Sequence, residues 1–229
     1  MDTKYISHLY FMNITLLLLI IQTIIGTPAF SLQHGDLLFQ DSDCGEFCDA
    51  IEKVTEGYQG ANLSHVGMVI LSKDGPQIIE ATTTGVVMTD LKTFLSRSYD
   101  SDGNSKVIVG RVNDNHTKLI PNAVNHAQSL LGKKYDHVFD IKNDTYYCSE
   151  LVYEAFKYAN GGEELFQLFP MTFIDPDTNE TFGIWSNYYS ELEKSIPEGQ
   201  LGLNPGGISR STEIEIVHMY GTPSGMWSK

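Results

Sequence analysis

Cys148 has the sequence surroundings of a reactive thiol. Residues suited to a buried face recur from it with the three- and four-residue spacing of an amphipathic helix: Cys148, Leu151, Val152, Ala155, Phe156 and Ala159. Asn160, Gly161 and Gly162 end this helix, so the thiol lies at or near its first turn. There the unpaired N–H groups and the positive end of the helix dipole favour a thiolate. Taken alone, Cys148 is also compatible with a small core residue at a helix start.

A predicted β-hairpin brings a histidine and a carboxylate together. Two runs rich in apolar and β-branched residues flank a turn signal at Asp74-Gly75. Depending on where the turn is centred, paired residues have numbers that sum to about 145 or 147. His65 and Glu80 are then opposite or diagonal on one face of the hairpin. Such a carboxylate can orient the imidazole and stabilise its charged form; an ordinary surface pair is the alternative.

The elements that must position these groups alternate between strands and helices. We predict strands at 37–40, 64–71, 77–82, 85–88, 106–112 and 214–217, and helices after Asp43, at 91–95, at 119–131 and from Cys148. Residues 163–212, rich in aromatics, Gly and Pro, are predicted to be long loops that wall the site. Trp185, Tyr188 and Tyr189 are candidates to line a substrate groove there, or are ordinary core aromatics.

The composition describes an acidic chain with enough residues for one domain. The 229 residues carry a net charge of −14, which argues against nucleic-acid binding because such binding draws on basic patches. An apolar run of about a dozen residues, Ile14–Gly26, is short for a membrane span and fits the core of a signal peptide. We therefore predict a signal peptide over 1–30 and a single domain over 31–229. The protein would be secreted, periplasmic or lumenal in the secretory pathway.

The three cysteines cannot all pair with one another. In an oxidising compartment Cys44 and Cys48 can form a disulfide that leaves Cys148 free, but their loop is so short that the sequence leaves this pairing open. No H-E-x-x-H or comparable metal motif is present, and we predict neither a metal nor another cofactor. His137, eleven residues before Cys148, is the rival to His65 as a general base.

Three motifs stand in a fixed order along the chain. They are Gly35-Asp36-Leu37-Leu38-Phe39, then Ser64-His65-Val66-Gly67-Met68-Val69 followed by Glu80, then Tyr146-Tyr147-Cys148-Ser149-Glu150-Leu151-Val152. The segments Leu131–Asp136 and Ile196–Gly199 add to the pattern. Together the motifs resemble the circularly permuted papain-like amidases of the YiiX/YaeF type, within the NlpC/P60 superfamily. The resemblance covers about residues 33–212.

The resemblance implies an α+β fold of the permuted papain-like kind, with an antiparallel sheet packed on helices and the nucleophile at a helix N-terminus. It implies Cys148 as the nucleophile, His65 as the general base and Glu80 as the group that orients His65, in agreement with the hairpin argument. Backbone N–H groups at the start of the Cys148 helix would stabilise the oxyanion. Asp36, Tyr146 and Tyr147 are candidates to complete that site and to contact the substrate.

The predicted function is amide hydrolysis through a thioester intermediate. The resemblance favours a peptide or cell-wall peptide as substrate. Two alternatives stay open: an enzyme that hydrolyses or transfers the acyl group of an N-acyl lipid, and a secreted binding domain that keeps the fold without turnover. The sequence does not specify the oligomeric state.

Overall fold

The computed structural model describes residues 30–227. All but the last residue of the predicted signal peptide therefore lies outside the described residues. Within residues 30–227, no helix is both long enough and apolar enough to cross a membrane.

An antiparallel sheet of six strands forms the centre of the unit that begins at Leu32, in the spatial order β4-β3-β2-β1-β5-β8. Its strands are β1 (Leu37–Gln40), β2 (His65–Ser72), β3 (Gly75–Thr82), β4 (Gly85–Asp90), β5 (Val107–Val112) and β8 (Ile214–Met219). The short strands β6 (Phe169–Pro170) and β7 (Leu201–Gly202) pair separately. All four residues of β1 are buried, as expected for an inner strand covered on both faces.

Six α-helices accompany the sheet within residues 30–227. They are α1 (Glu46–Val54), α2 (Leu91–Leu95), α3 (Ile120–Ser129), α4 (Cys148–Ala159), α5 (Gly183–Glu191) and α6 (Pro205–Ser209). The apolar stripe predicted for the Cys148 helix is buried in the main core, where Phe156 and Leu151 lie beside sheet residues such as Phe39 and Val66. The hydrophobic effect therefore fixes α4 against the sheet and, with it, the position of its first residue.

The tight turn between β2 and β3 selects one of the two predicted registers. Met68 pairs with Ile79 and Ser72 with Gly75, so the paired numbers sum to 147 and His65 is diagonal to Glu80. Gly67 is required at this point, since a Cβ there would overlap the side chain of Ile78 and crowd the Cβ of Glu80. The hairpin thus holds Glu80 close to the strand that carries His65.

Residues 163–212 differ from the prediction of long loops. They contain α5, α6 and the β6–β7 pair. Within α5, Trp185 and Tyr189 are buried against Phe173, at ring-centroid distances of 5.2 and 5.7 Å. Tertiary packing of aromatic rings, rather than helix propensity, accounts for this helix.

Candidate active site

Cys148 is the first residue of α4, and its side chain is buried. Glu150, in the first turn, accepts a hydrogen bond from the backbone N–H of Tyr147 at 3.2 Å, which helps to define where the helix begins. The sulfur is 3.8 Å from the Ser149 hydroxyl, and the backbone of Val66 is near enough to help lower the pKa of the thiol. A helix start and a strand amide therefore both face the thiol.

His65 lies between Cys148 and Glu80. Its Nε2 is 2.5 Å from Oε2 of Glu80, and the ring is close enough to the Cys148 thiol that each of the two groups shifts the pKa of the other. Because Nε2 is held by the carboxylate, Nδ1 is the ring nitrogen left for the sulfur. The structure thus brings together the three residues that the sequence predicted to act together.

Glu80 is fully buried and accepts further hydrogen bonds that the sequence did not reveal. Arg97 donates through Nη1 to Oε2 at 2.7 Å and through Nη2 to Oε1 at 2.6 Å. The hydroxyl of Thr89 also donates to Oε1. Arg97 follows α2 and Thr89 lies on β4, whereas Glu80 lies on β3. Contacts between separate elements of this kind do not appear as a sequence motif.

These contacts favour the charged forms of all three groups. Burial disfavours the thiolate of Cys148, but the combined effect of His65, Ser149 and the backbone of Val66 outweighs burial and lowers the pKa of the thiol. Burial likewise disfavours the imidazolium, yet the hydrogen bonds with Cys148 and Glu80 raise the pKa of His65 to about 9. For Glu80, burial is outweighed by the hydrogen bonds from Arg97 and His65, and its pKa falls to about 2. The contacts therefore favour a thiolate–imidazolium pair over the uncharged pair of side chains.

Tyr135 is a second neighbour of the thiol that the sequence analysis did not select. It lines the same cavity as Cys148, and burial together with the nearby thiolate charge raises the pKa of its hydroxyl well above the usual value. Its backbone is fixed by an isolated bridge to Tyr146 and by the approach of Lys133 to Gly85. Because Tyr135 lines the same cavity as Cys148, its hydroxyl is a potential hydrogen-bond donor to a reacting carbonyl.

The three candidates for substrate contact occupy different places. Tyr147 lines the cavity, and its hydroxyl accepts a hydrogen bond from the N–H of Leu203. Tyr146 is absent from the cavity lining, and its hydroxyl faces Asp144. Asp36 is also absent from the lining: it precedes β1, at the end opposite the His65 pairing, and is buried against Arg111 at 2.7 Å. Asp36 forms an ion pair that fixes the start of β1, and its contact with the substrate stays a prediction.

A cavity of about 570 Å³ opens beside the thiol. Its walls are mostly apolar and include Phe47, Ile51 and Val54 of α1 together with Phe139, Met171, Phe173, Trp185 and Leu203. Cys44 and Cys48 form a disulfide in the same wall, which answers the question that the sequence left open. Trp185 lines the cavity as predicted for a substrate groove, whereas Tyr188 and Tyr189 are not among the lining residues.

His137, the alternative general base, lies apart from the Cys148 group. His137 hydrogen-bonds through Nδ1 to the hydroxyl of Tyr188 at 2.9 Å rather than joining the Cys148 group. Among residues 30–227, no cluster of three or more His, Cys, Asp or Glu side chains is placed to hold a metal ion.

A cysteine at a helix start, facing a histidine and a carboxylate on an antiparallel sheet, is the arrangement of papain-like thiol enzymes. Here the histidine strand precedes the cysteine helix in the chain, which is the permuted order. Residues 31–218 match the model of the permuted papain-like amidase family YaeF/YiiX, the C92 peptidase family, and the chain belongs to that family.

Two relatives agree with this assignment. The uncharacterized protein YiiX of Escherichia coli strain K12 is 31% identical over 151 residues, which cover 63% of this chain and 68% of that protein. The crystal structure of metalloprotein yiiX from Escherichia coli O157:H7 has a TM-score of 0.69 and 24% identity, and the match covers 84% of this chain and 99% of that one. The second comparison supports the fold, and the predicted fold class is confirmed.

Proposed function

We propose that this protein is a cysteine amidase in which Cys148 is the nucleophile, His65 the general acid and base, and Glu80 the group that orients His65. The observation that carries the proposal is the placement of His65, whose Nε2 is bound to the Glu80 carboxylate at 2.5 Å and whose ring lies in the same cavity as the Cys148 thiol, close enough to shift its pKa. The membership in a family of papain-like amidases supports the same reaction class.

The reaction proceeds in two halves. The Cys148 thiolate attacks the amide carbonyl carbon, a C–S bond forms, and the carbonyl oxygen becomes an oxyanion near the N-terminus of α4. His65 gives its proton to the amide nitrogen, the C–N bond breaks, and an amine leaves behind a thioester. His65 then takes a proton from water, the resulting hydroxide attacks the thioester carbon, and C–S cleavage releases the acid and the thiolate.

The compartment is part of the proposal. A disulfide between Cys44 and Cys48 persists in oxidising environments and is rare in the cytosol. Together with the predicted signal peptide, it supports action outside the cytoplasm. The yiiX crystal structure is described as that of a metalloprotein. In this chain the described residues offer no metal-ligand cluster and His65 is engaged on both sides, so the mechanism assigns no step to a metal.

The apolar cavity favours one of the alternative substrates, an N-acyl lipid amide. Among the described lining residues the only basic side chains are His65 and Arg97, and both already bind Glu80. A cell-wall peptide carries carboxylates that would require a basic partner in the site. A volume of about 570 Å³ with apolar walls instead suits an acyl chain, within the range of roughly 300 to 1,000 Å³ common for ligand pockets.

The proposal is tested by hydrolysis assays on matched panels of peptide amides and N-acyl amides. Amine release should depend on the wild-type chain, and Cys148→Ala and His65→Ala should each reduce it by about a thousandfold or more, because the two residues act as one unit. Intact mass should reveal a transient acyl adduct on the wild-type protein. Hydrolysis that survives either substitution would contradict the mechanism, and a folded protein with an unreactive thiol would support a binding domain instead.

A further inference from the structure

The strongest unassigned feature near the site is the contact between Arg97 and Glu80. The guanidinium presents two parallel N–H donors to the two carboxylate oxygens, at 2.6 and 2.7 Å. This fork geometry is more directional than a single-point contact and is specific to arginine. Arg97 lies 17 residues after Glu80, outside the three sequence motifs that point to the site.

The full set of contacts leaves the Glu80 carboxylate with little freedom. Oε1 accepts from Thr89 and Arg97, while Oε2 accepts from His65 and Arg97. These donors come from β2, from β4 and from the segment after α2, so three elements converge on one buried group. Because the carboxylate plane is fixed by the fork, the direction in which Oε2 faces His65 is fixed as well.

Arg97 is itself held in place. Its guanidinium lies over the Phe94 ring, 5.0 Å from the ring centroid, and the same ring is 5.8 Å from the imidazole of His65. Phe94 is buried, whereas 32% of the Arg97 side chain is exposed at the cavity wall. The cation therefore packs against the same apolar support as the histidine.

A catalytic cycle gives this ion pair a specific task. When His65 delivers its proton to the leaving amine, a buried Glu80 without Arg97 would have no cationic neighbour. Burial would then favour proton uptake by Glu80, in competition with the transfer. The guanidinium stays charged at all relevant pH values, so it neutralises Glu80 whether or not His65 carries a proton.

We propose that Arg97 is a positioning residue of this site: it keeps Glu80 ionised and aligned while His65 gives up and regains its proton. This role rests on the proposed Cys148–His65 chemistry and extends it by one residue. Arg97 acts through Glu80 and makes no bond to the reacting atoms.

The test is the rate of Cys148 alkylation by iodoacetamide between pH 4 and 10, followed by intact mass in folded protein. Arg97→Gln removes a positive charge, which raises the pKa of every nearby group. The pH at which alkylation becomes fast should move up by about one unit, a tenfold slower reaction on the acidic side. Arg97→Lys, which keeps the positive charge, should leave the pH at which alkylation becomes fast close to that of the wild type. Thr89→Val should move the profile in the same direction as Arg97→Gln by a smaller amount.

Lys92→Gln is the matched control, since Lys92 is an exposed cation on α2, five residues before Arg97 in the sequence. An Arg97→Gln profile that shifts no more than that of Lys92→Gln overturns the inference. If Arg97→Gln does not fold, Arg97→Met, which removes the charge but keeps an unbranched stem beside Phe94, is compared with Lys92→Gln in its place. Failure of the proposed function has a different outcome: wild-type Cys148 would titrate as an ordinary thiol near 8.5 and would not respond to His65→Ala.

Discussion

At the residue scale, the site is a row of side chains whose charges alternate in sign: Arg97, Glu80, His65 and Cys148. The contacts of Glu80 with Arg97 and with His65 are hydrogen bonds as well as charge pairs. Such bonds are stronger than neutral ones, and burial strengthens them further because water competes less. These contacts offset the free-energy cost of burying a charged sulfur.

The activity should have an upper pH limit set by His65. The imidazolium must be present to protonate the leaving amine, and the pKa of His65 is raised to about 9, so activity should be retained up to that pH and decline above it.

Glu80→Gln removes the negative charge that supports the imidazolium of His65 and should move this upper pH limit to lower pH. It should also reduce kcat/KM by roughly ten- to a hundredfold, the factor for one or two pKa units. The measurement is the pH profile of kcat/KM on any amide found to be cleaved. A Glu80→Gln limit at or above the wild-type value would contradict the role of Glu80.

How much of this site the sequence could predict depends on how local each contact is. Cys148 was visible from a helical stripe, and the closeness of His65 and Glu80 from the geometry of one hairpin. Thr89 contacts Glu80 because β4 pairs with β3, and Arg97 contacts Glu80 because the segment after α2 lies beside β3. Both contacts depend on the tertiary fold. No single-element pattern encodes such a contact. The catalytic roles of the predicted residues stay predictions until they are tested.

At the element scale, the start of α4 contains a second buried acid with a different role. Glu150 caps the helix with one oxygen, and its other oxygen, Oε1, is buried with no hydrogen-bond partner among the described residues. Burial, with a contribution from the nearby Asp136, raises the pKa of Glu150 to about 9. The carboxyl is therefore protonated at neutral pH in the folded protein and ionised in the unfolded chain.

Glu150 should make the protein less stable as pH rises. Between the unfolded pKa of 4.5 and the folded value of about 9, the folded state holds a proton that the unfolded state has lost. The free energy of unfolding should therefore fall with pH in this window, by up to about 1.4 kcal/mol per pH unit from this group. Glu150→Gln keeps an oxygen for the cap and removes the titration.

Urea unfolding at pH 5.5 and pH 8 measures this effect. Relative to wild type, Glu150→Gln should gain stability on going from the lower to the higher pH. Glu163→Gln, which removes a charge from an exposed position just after the same helix, should not. Parallel wild-type and Glu150→Gln stabilities at the two pH values would show that Glu150 is ionised in the folded protein.

The helices and strands themselves were predicted with uneven success. The strands of the sheet and the helices α3 and α4 have clear periodicity, and the predicted fold class is confirmed. Helix α5 was missed because Gly-Ile-Trp-Ser-Asn-Tyr-Tyr-Ser-Glu contains few strong helix formers. Its stability comes from burying Trp185 and Tyr189, a gain that exists only once the rest of the core has formed.

At the scale of the whole molecule, the cavity is built from parts of the chain that are distant in sequence. Helix α1 supplies one wall, and residues from 169 to 173, Trp185 and Leu203 supply much of the rest. Lys53 links the two by ion pairs to Asp175 and Asp177, each at 2.9 Å. Exposed ion pairs contribute little stability, so the apolar packing and the Cys44–Cys48 disulfide are the main supports of this wall.

The cavity should determine which amides are accepted. If it binds an acyl chain, kcat/KM should rise with chain length across a series of N-acyl amides, since each buried methylene contributes about 0.8 kcal/mol, close to a fourfold gain. Val54→Trp, which fills part of the cavity, should reduce the rate for long chains more than for short ones.

Glu46→Trp is the control for this comparison, because it adds the same bulk to the exposed face of α1. Equal effects of the two substitutions, or a preference for charged peptides that Val54→Trp leaves unchanged, would contradict the acyl-chain assignment. Either result would favour a cell-wall peptide over an N-acyl lipid as the substrate.

The central claim, an activated Cys148–His65 pair, is tested most directly by the pH dependence of Cys148 alkylation in wild-type protein and in His65→Ala. Mass analysis should show Cys44 and Cys48 unlabelled in both, since they are joined in a disulfide. The account predicts rapid labelling of wild-type Cys148 well below pH 7, lost in the variant. A wild-type thiol that titrates near 8.5, with the same alkylation profile in His65→Ala, would contradict the account.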